Sequence, residues 1–219
     1  MTLEPPGQIA AAGETARAVL EEKHAAREVT LSASRRAIRS CASAIRAVHR
    51  REFREARALI AESAAYLTEA EHALGPHADV RYGGFLNDAK KEFAEANLTL
   101  AFVEDNRLPT AAELGVDVQP YLNGMAEAAS ELRRQVLDCL RRDEGPEAER
   151  LLALMDEVYG MLVTVDYPDA LTGGLRRSTD ALRAVLERTR GDVTTAIVAA
   201  RLQGAIEGRG GTLPGPAGV

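Results

Sequence analysis

The sequence predicts an all-α protein. Apolar residues recur with helical spacing over long stretches broken only at a few Gly and Pro positions, strand-like alternation is absent, and Ala, Leu, Arg and Glu dominate. Aromatic residues make up 4% and tryptophan is missing, which argues against a β-sandwich and against an open aromatic platform for stacking bases. With 219 residues, 46% of them hydrophobic, the chain is long enough to bury a sizeable core. Three regions follow: a flexible amino terminus over 1–13, a helical domain over 14–206, and a disordered tail over 207–219, rich in glycine and proline.

The spacing predicts six or seven helices. The first runs from near Glu14 to Val48, with Leu31, Ile38, Cys41, Ile45 and Val48 on one face. HRREF marks a short turn, and a second helix covers Phe53 to Ala73. The glycines and proline of GPHADVRYGG make a loop. A third helix spans Phe85 to about Glu104, and the loop DNRLPTAAELGVDVQP follows it. Pro120, well tolerated in a first turn, opens a fourth helix that reaches Arg142. After the break at EGP, a fifth covers Glu147 to Val163; beyond the loop DYPDALTGG, Leu175–Arg190 and Val193–Ile206 read as two more.

No stretch approaches about 18 consecutive apolar residues, and the amino terminus lacks the charged-then-apolar pattern of an export signal. The expectation is a cytoplasmic protein without a membrane partner. Cys41 and Cys139 have no Cys or His cluster at metal-ligand spacing nearby, so they read as reduced, half-buried helix residues.

The formal net charge of −6 argues against a surface that grips any nucleic acid. The distribution is uneven, however. Between His24 and Arg57 nine arginines stand against three acids, a local excess of about six positive charges. Only Lys23, Lys90 and Lys91 among the 27 basic residues are lysines, which favours planar contacts to phosphate, although a GC-rich genome gives the same bias. Arg35, Arg39, Arg46 and Arg50 fall within a sector of about 60° on the first helix, with His49 at its edge. Such a stripe can meet about four phosphates, or it can be a solvated, salt-bridged face.

Acidic residues raise a second question. On the third helix Phe85, Ala89, Ala96, Leu100 and Val103 share a face, and Glu92 projects into that seam with Asp88 and Glu95 along its edge. A carboxylate there needs an arginine partner or a cation, and spacing alone leaves both open. On the fourth helix Glu127 and Glu131 lie one turn apart, nearly opposite the seam of Leu122, Met125, Ala129, Leu132, Val136 and Leu140. In a monomer this face meets water; lining a chamber, it joins the third-helix acids in an oxygen-rich site suited to Mg²⁺ or Mn²⁺. Phosphate-loop, nucleophile-elbow and zinc-helix motifs are absent. Glu69, Glu71 and His72 read as surface.

The run SRRAIRSCASAIRAVHRREFREA resembles the first helix pair of translin and its nuclease partner Trax, particularly their prokaryotic relatives. KKEFAEA, GMAEAASELRR and MDEVYGMLVTVDYPDALTGGLRRSTDALRAVLERTRGDVT are similar to later family segments in the same order, so the resemblance covers about Arg27 to Leu202. It implies a seven-helix translin-like subunit, a hollow octamer, and single-stranded RNA, or DNA, bound inside, which reconciles a basic interior with an acidic whole. It further implies that Glu92 and Glu95, as an E-x-x-E pair, hold a divalent ion together with Glu127, where Trax chains carry aspartate, and Glu131 one turn later. The added methylene of Glu127 keeps metal binding while weakening in-line positioning. The resulting expectation is a Mg²⁺- or Mn²⁺-dependent endoribonuclease with Glu92, Glu95 and Glu127 catalytic and Arg35, Arg39, Arg46, His49 and Arg50 on the RNA. The alternatives are a non-catalytic binding shell and a purely structural helical oligomer.

Overall fold

The computed structural model describes residues 5–75, 77 and 84–210, and these form helices and their connections without a strand. Six long helices carry the fold: α1 (Pro5–His49), α2 (Phe53–Leu74), α3 (Phe85–Glu104), α5 (Val118–Arg141), α6 (Gly145–Val163) and α8 (Leu175–Gly210). Two single turns, α4 (Ala111–Leu114) and α7 (Asp169–Thr172), lie in the connections before α5 and α8. Among the described residues, no helix is long and apolar enough to cross a membrane.

The first pair is an antiparallel hairpin held by small residues. Ala33, Ala37, Cys41, Ala44 and Val48 are fully buried on α1 at spacings of three and four, and they meet Ala56, Ile60, Ser63, Leu67, Ala70 and Leu74 of α2. The apolar face expected on α1 rested on Leu31, Ile38, Cys41, Ile45 and Val48; the alanines take most of it because their small side chains let the two backbones close up. Side chains cross-link the seam: Thr30 Oγ1 donates to the Ala70 carbonyl at 3.3 Å and Ser63 Oγ to that of Ala37 at 3.2 Å. The connecting turn closes with Arg51 at a φ of 61° and the Glu52 amide on the Ala47 carbonyl.

α3 is the centre of the bundle. Ala89, Phe93, Ala94, Ala96 and Leu100 join the core shared with α1 and α2, while Leu98 and Phe102 join a second core with α5, α6 and α8. A helix buried on nearly every side has little room for charge, so each polar group it carries is held for a reason. α5 lies directly against it at Gly124. A Cβ there would meet the Lys91 carbonyl oxygen at 2.6 Å and the Glu95 amide nitrogen at 2.9 Å, so only glycine fits this backbone approach.

Several expected boundaries move. α1 begins at Pro5, so residues 5–13 are helical although set ahead of the domain by the sequence. The first-turn position of Pro120 holds, with α5 starting two residues earlier. Within the expected loop, Thr110 and Glu113 form a reciprocal capping box that starts α4. The last two expected helices are one, so the described residues hold six long helices and two single turns where the spacing predicts six or seven helices. α8 passes through Gly191 because its flanks are fixed: Leu182, Leu186 and Val193 are buried, Arg133 pairs with Asp192 at 2.8 Å, and Arg190 with Asp156 at 2.7 Å. That packing outweighs the roughly 1 kcal/mol an interior glycine costs relative to alanine. Residues 211–219 of the expected disordered tail lie outside the described residues.

Gly124→Ala should lower unfolding free energy by about 1 to 3 kcal/mol, since its methyl must displace backbone rather than a mobile side chain. Denaturant unfolding that matches the parent protein would show that the α3–α5 contact is looser than the geometry requires.

Candidate metal centre

The contact at Gly124 fixes what lies one turn further on. Glu127 is brought from α5 against Glu92 and Glu95 on α3, and the three carboxylates offer ligand oxygens within 4.8 Å of one another. Glu95 is the deepest at 7% exposure, and it makes no hydrogen bond or ion pair with the described residues. Burial, followed by the neighbouring Glu92, Glu127 and Glu131 charges, pushes its carboxyl up to about 9.

Two expectations change here. The carboxylate inside the apolar helix is Glu95, not Glu92; Glu92 is half-buried and pairs with Lys91 Nζ at 3.3 Å. The reason is that α3 has cores on two sides, so the seam read from one face put Glu92 at its middle when a second face buries Glu95. Glu127 likewise is only partly open to water in the single subunit. Its oxygens lie 2.8 and 2.7 Å from Lys91 Nζ on the neighbouring helix. Burial pulls the Lys91 ammonium down, but the Glu127 and Glu92 carboxylates outweigh it and hold it above the ordinary lysine value. Asp88, at the start of the helix, is exposed.

Glu131 stands beside this cluster and is held from α1. His49 Nε2 lies 2.8 Å from Glu131 Oε2, and Gln135 Nε2 is 3.1 Å from His49 Nδ1. Since the Gln135 amide can only donate there, the ring proton sits on Nε2 and is donated to Glu131. His49 was expected at the edge of the arginine stripe as a nucleic-acid contact. Its side chain is 3% exposed and points inward, so it orients Glu131 instead. Neither Lys91 nor Gln135 was singled out by the sequence, because the contacts that define them cross between helices.

The arginine stripe remains on the surface. Arg35, Arg39 and Arg46 are exposed along α1, and Arg50 is exposed in the turn that follows it. Among the described residues Arg35 and Arg39 form no ion pair, Arg46 donates to Ser43 Oγ at 2.9 Å, and Arg50 pairs with Glu52 and Glu55. Arg36, on the buried side, instead stacks over Tyr66 at 4.5 Å and pairs with Glu69. His49 lies three residues beyond Arg46, so the stripe ends beside the acidic cluster. A shallow depression of about 530 Å³ next to Glu131 adds Arg133, Arg134 and Arg141 of α5 to the basic lining.

The three carboxylates fit a hard divalent cation: they are oxygen donors, they converge, and the buried one makes no hydrogen bond or ion pair among the described residues. Comparison with known proteins gives this arrangement a context. No family model matches the chain. It is 34% identical over 184 residues to an uncharacterised protein of Methanocaldococcus jannaschii, covering 81% of this chain and 79% of that protein. Among solved structures, AfC3PO in complex with duplex RNA superposes with a TM-score of 0.78 at 31% identity, over 85% of this chain and 96% of the other. The crystal structure of AfC3PO alone gives 0.76 at the same identity, over 85% and 97%. Apo-NeC3PO, at 19% identity and a TM-score of 0.72 over 90% and 100%, shares the fold.

A carboxyl raised from 4.5 to about 9 on folding is protonated more readily in the native state, so its stabilising contribution is complete in acid and is lost as pH rises through that window. With chelator present, thermal stability should therefore fall between about pH 5 and pH 9, and Glu95→Gln should flatten that dependence and melt higher than the parent at pH 9. Identical pH profiles for the two proteins would show that Glu95 is ionised and compensated in the metal-free state.

Proposed function

The chain belongs to the translin/Trax-type C3PO family, and from that premise we propose that it is a metal-dependent endoribonuclease that cleaves single-stranded RNA within a closed homo-oligomer. The observation that carries this reading is the convergence of Glu92, Glu95 and Glu127, with Glu95 buried and making no hydrogen bond or ion pair among the described residues. A divalent ion, Mg²⁺ or Mn²⁺, supplies an activated water and neutralises developing charge on a phosphodiester. The chain's own contributions are separable. Glu92, Glu95 and Glu127 present the oxygens; Glu131, oriented by His49, stands next to them as the group placed to take up a proton. Arg35, Arg39, Arg46 and Arg50 form the phosphate track that leads to the site.

RNA as the ligand is supported by AfC3PO, which forms a complex with duplex RNA. Assembly into a hollow octamer is the family expectation, and exposed apolar side chains such as Ile9, Leu20, Leu171, Leu202 and Ile206 supply surface for contacts between copies. In such a shell the acidic cluster and the arginine track face a common interior, from which the overall negative charge is no obstacle to RNA. The second reading, a non-catalytic shell for single-stranded RNA or DNA, is favoured by one feature, the longer Glu127 side chain where Trax chains carry aspartate.

Labelled single-stranded and duplex RNA incubated with Mg²⁺, Mn²⁺ or chelator separates these readings. Cleavage should require the metal, and Glu95→Gln or Glu127→Gln should reduce it by about a hundredfold or more while RNA binding persists. Retention of RNA without cleavage in the parent protein would establish the binding shell, and absence of both would leave a structural oligomer. In the same material, replacing Arg35, Arg39 and Arg46 together by alanine should weaken binding alike for unrelated sequences and lower the salt slope by about three, one per phosphate contact. An unchanged slope would assign these arginines a purely structural place.

A further inference from the structure

Two adjacent lysines on α3 have different surroundings. Lys90 is 6% exposed at its side chain and locked between Glu71 of α2 at 2.8 Å and Asp117 ahead of α5 at 3.6 Å. Lys91 is 26% exposed and lies on the acidic cluster itself, touching both oxygens of Glu127 and one of Glu92. The first is fixed by groups outside the site. The second has solvent on one side and the ligand set on the other.

We propose that Lys91 is a tethered cation that occupies the acidic site in the metal-free protein and has to yield Glu127 before a divalent ion can bind. The proposal rests on the metal-site reading above. Its geometry is simple. Because Nζ touches both Glu127 oxygens at 2.8 Å or less, an ion coordinating either one at about 2.1 Å would lie no farther than about 4.9 Å from the ammonium. Two like charges at that spacing in a half-buried site repel strongly, and the ammonium is the one with a flexible stem and an open way to solvent.

Charge counting leads to the same place. The carboxylates outnumber the ammonium three to one, so the metal-free site is short of positive charge, and a divalent ion taking the place of Lys91 brings one more positive charge to it. Lys91 thus supplies part of the balance when no metal is present and keeps the carboxylates together. The cost is a weaker hold on the ion, so the site fills only where free divalent metal is plentiful. Lys91 is in this sense a positioning residue, acting on the ligands and not on the substrate.

Titration calorimetry and Mn²⁺ electron paramagnetic resonance on the full, chelator-treated chain test this without reference to activity. Lys91→Met removes the charge and keeps most of the length; it should bind Mn²⁺ about tenfold more tightly than the parent, because the like charge beside the ion is gone. Its metal-free form should melt lower and gain more from added Mn²⁺. Lys91→Arg, which keeps the charge, should bind as the parent does, and Lys91→Gln should repeat the Met result if Met fails to fold. Parent-like or weaker Mn²⁺ binding by the uncharged variants, with the parent itself binding, overturns the role of Lys91 while leaving the metal site intact. Failure of parent and variants alike to bind Mn²⁺ would overturn the metal-site reading and this proposal together.

Discussion

The close approach of α3 and α5 at Gly124 is the constraint on which the rest depends. A backbone-to-backbone contact, unlike one between side chains, cannot be adjusted by changing rotamers, so it sets the distance between the two helices to a few tenths of an ångström. Everything that projects from their facing surfaces inherits that precision. Glu127 stands one turn beyond the contact on α5, and Glu92 and Glu95 flank it on α3, so three groups from two helices converge without any loop to place them. Sites built on helices in this way hold their geometry better than sites on loops.

The same closeness has an energetic consequence. Placing a carboxylate on the central helix of a bundle costs several kcal/mol when it is charged and unpaired, of order what a whole domain retains as net stability. The protein meets this in two ways. Burial and the neighbouring acids favour the neutral form of Glu95, and Glu92 and Glu127 share an ammonium. Neither arrangement is the best available for stability alone, since an apolar residue at 95 would pack at no such cost. A destabilising group retained at the best-packed place in the fold is what separates a site from a core.

The helices were legible because burial repeats with the helical period, and the long segments from Phe53 to Leu74 and from Phe85 to Glu104 stand almost where that period puts them. What the period cannot express is how many faces a helix buries. α3 packs on two cores, and the carboxylate taken to be central, Glu92, proved less buried than Glu95, three residues on. Local signals also mislead when distant contacts compete with them: Gly191 and Asp192 look like a boundary, yet the Arg133 and Arg190 pairs carry α8 straight through. The acid set itself came from helical spacing and family resemblance together, while its spatial closure, with Lys91 and the His49–Gln135 support, comes only from contacts between residues tens of positions apart.

Cys41 gives the hairpin of α1 and α2 a property of its own. Its thiol is fully buried, shares a 3.0 Å contact with Ser63 Oγ, and is pushed up to about 12 by burial and, after the opposing Ser63 bond, by the nearby Glu92 and Glu95 charges. At neutral pH it is almost wholly unreactive toward oxidants and alkylating reagents, which attack the thiolate. It becomes accessible only when the alanine-lined seam separates, and then regains the reactivity of an ordinary cysteine. The rate at which it is labelled is therefore a clock for local opening of the wall behind the acidic cluster, written into the native sequence with no probe added.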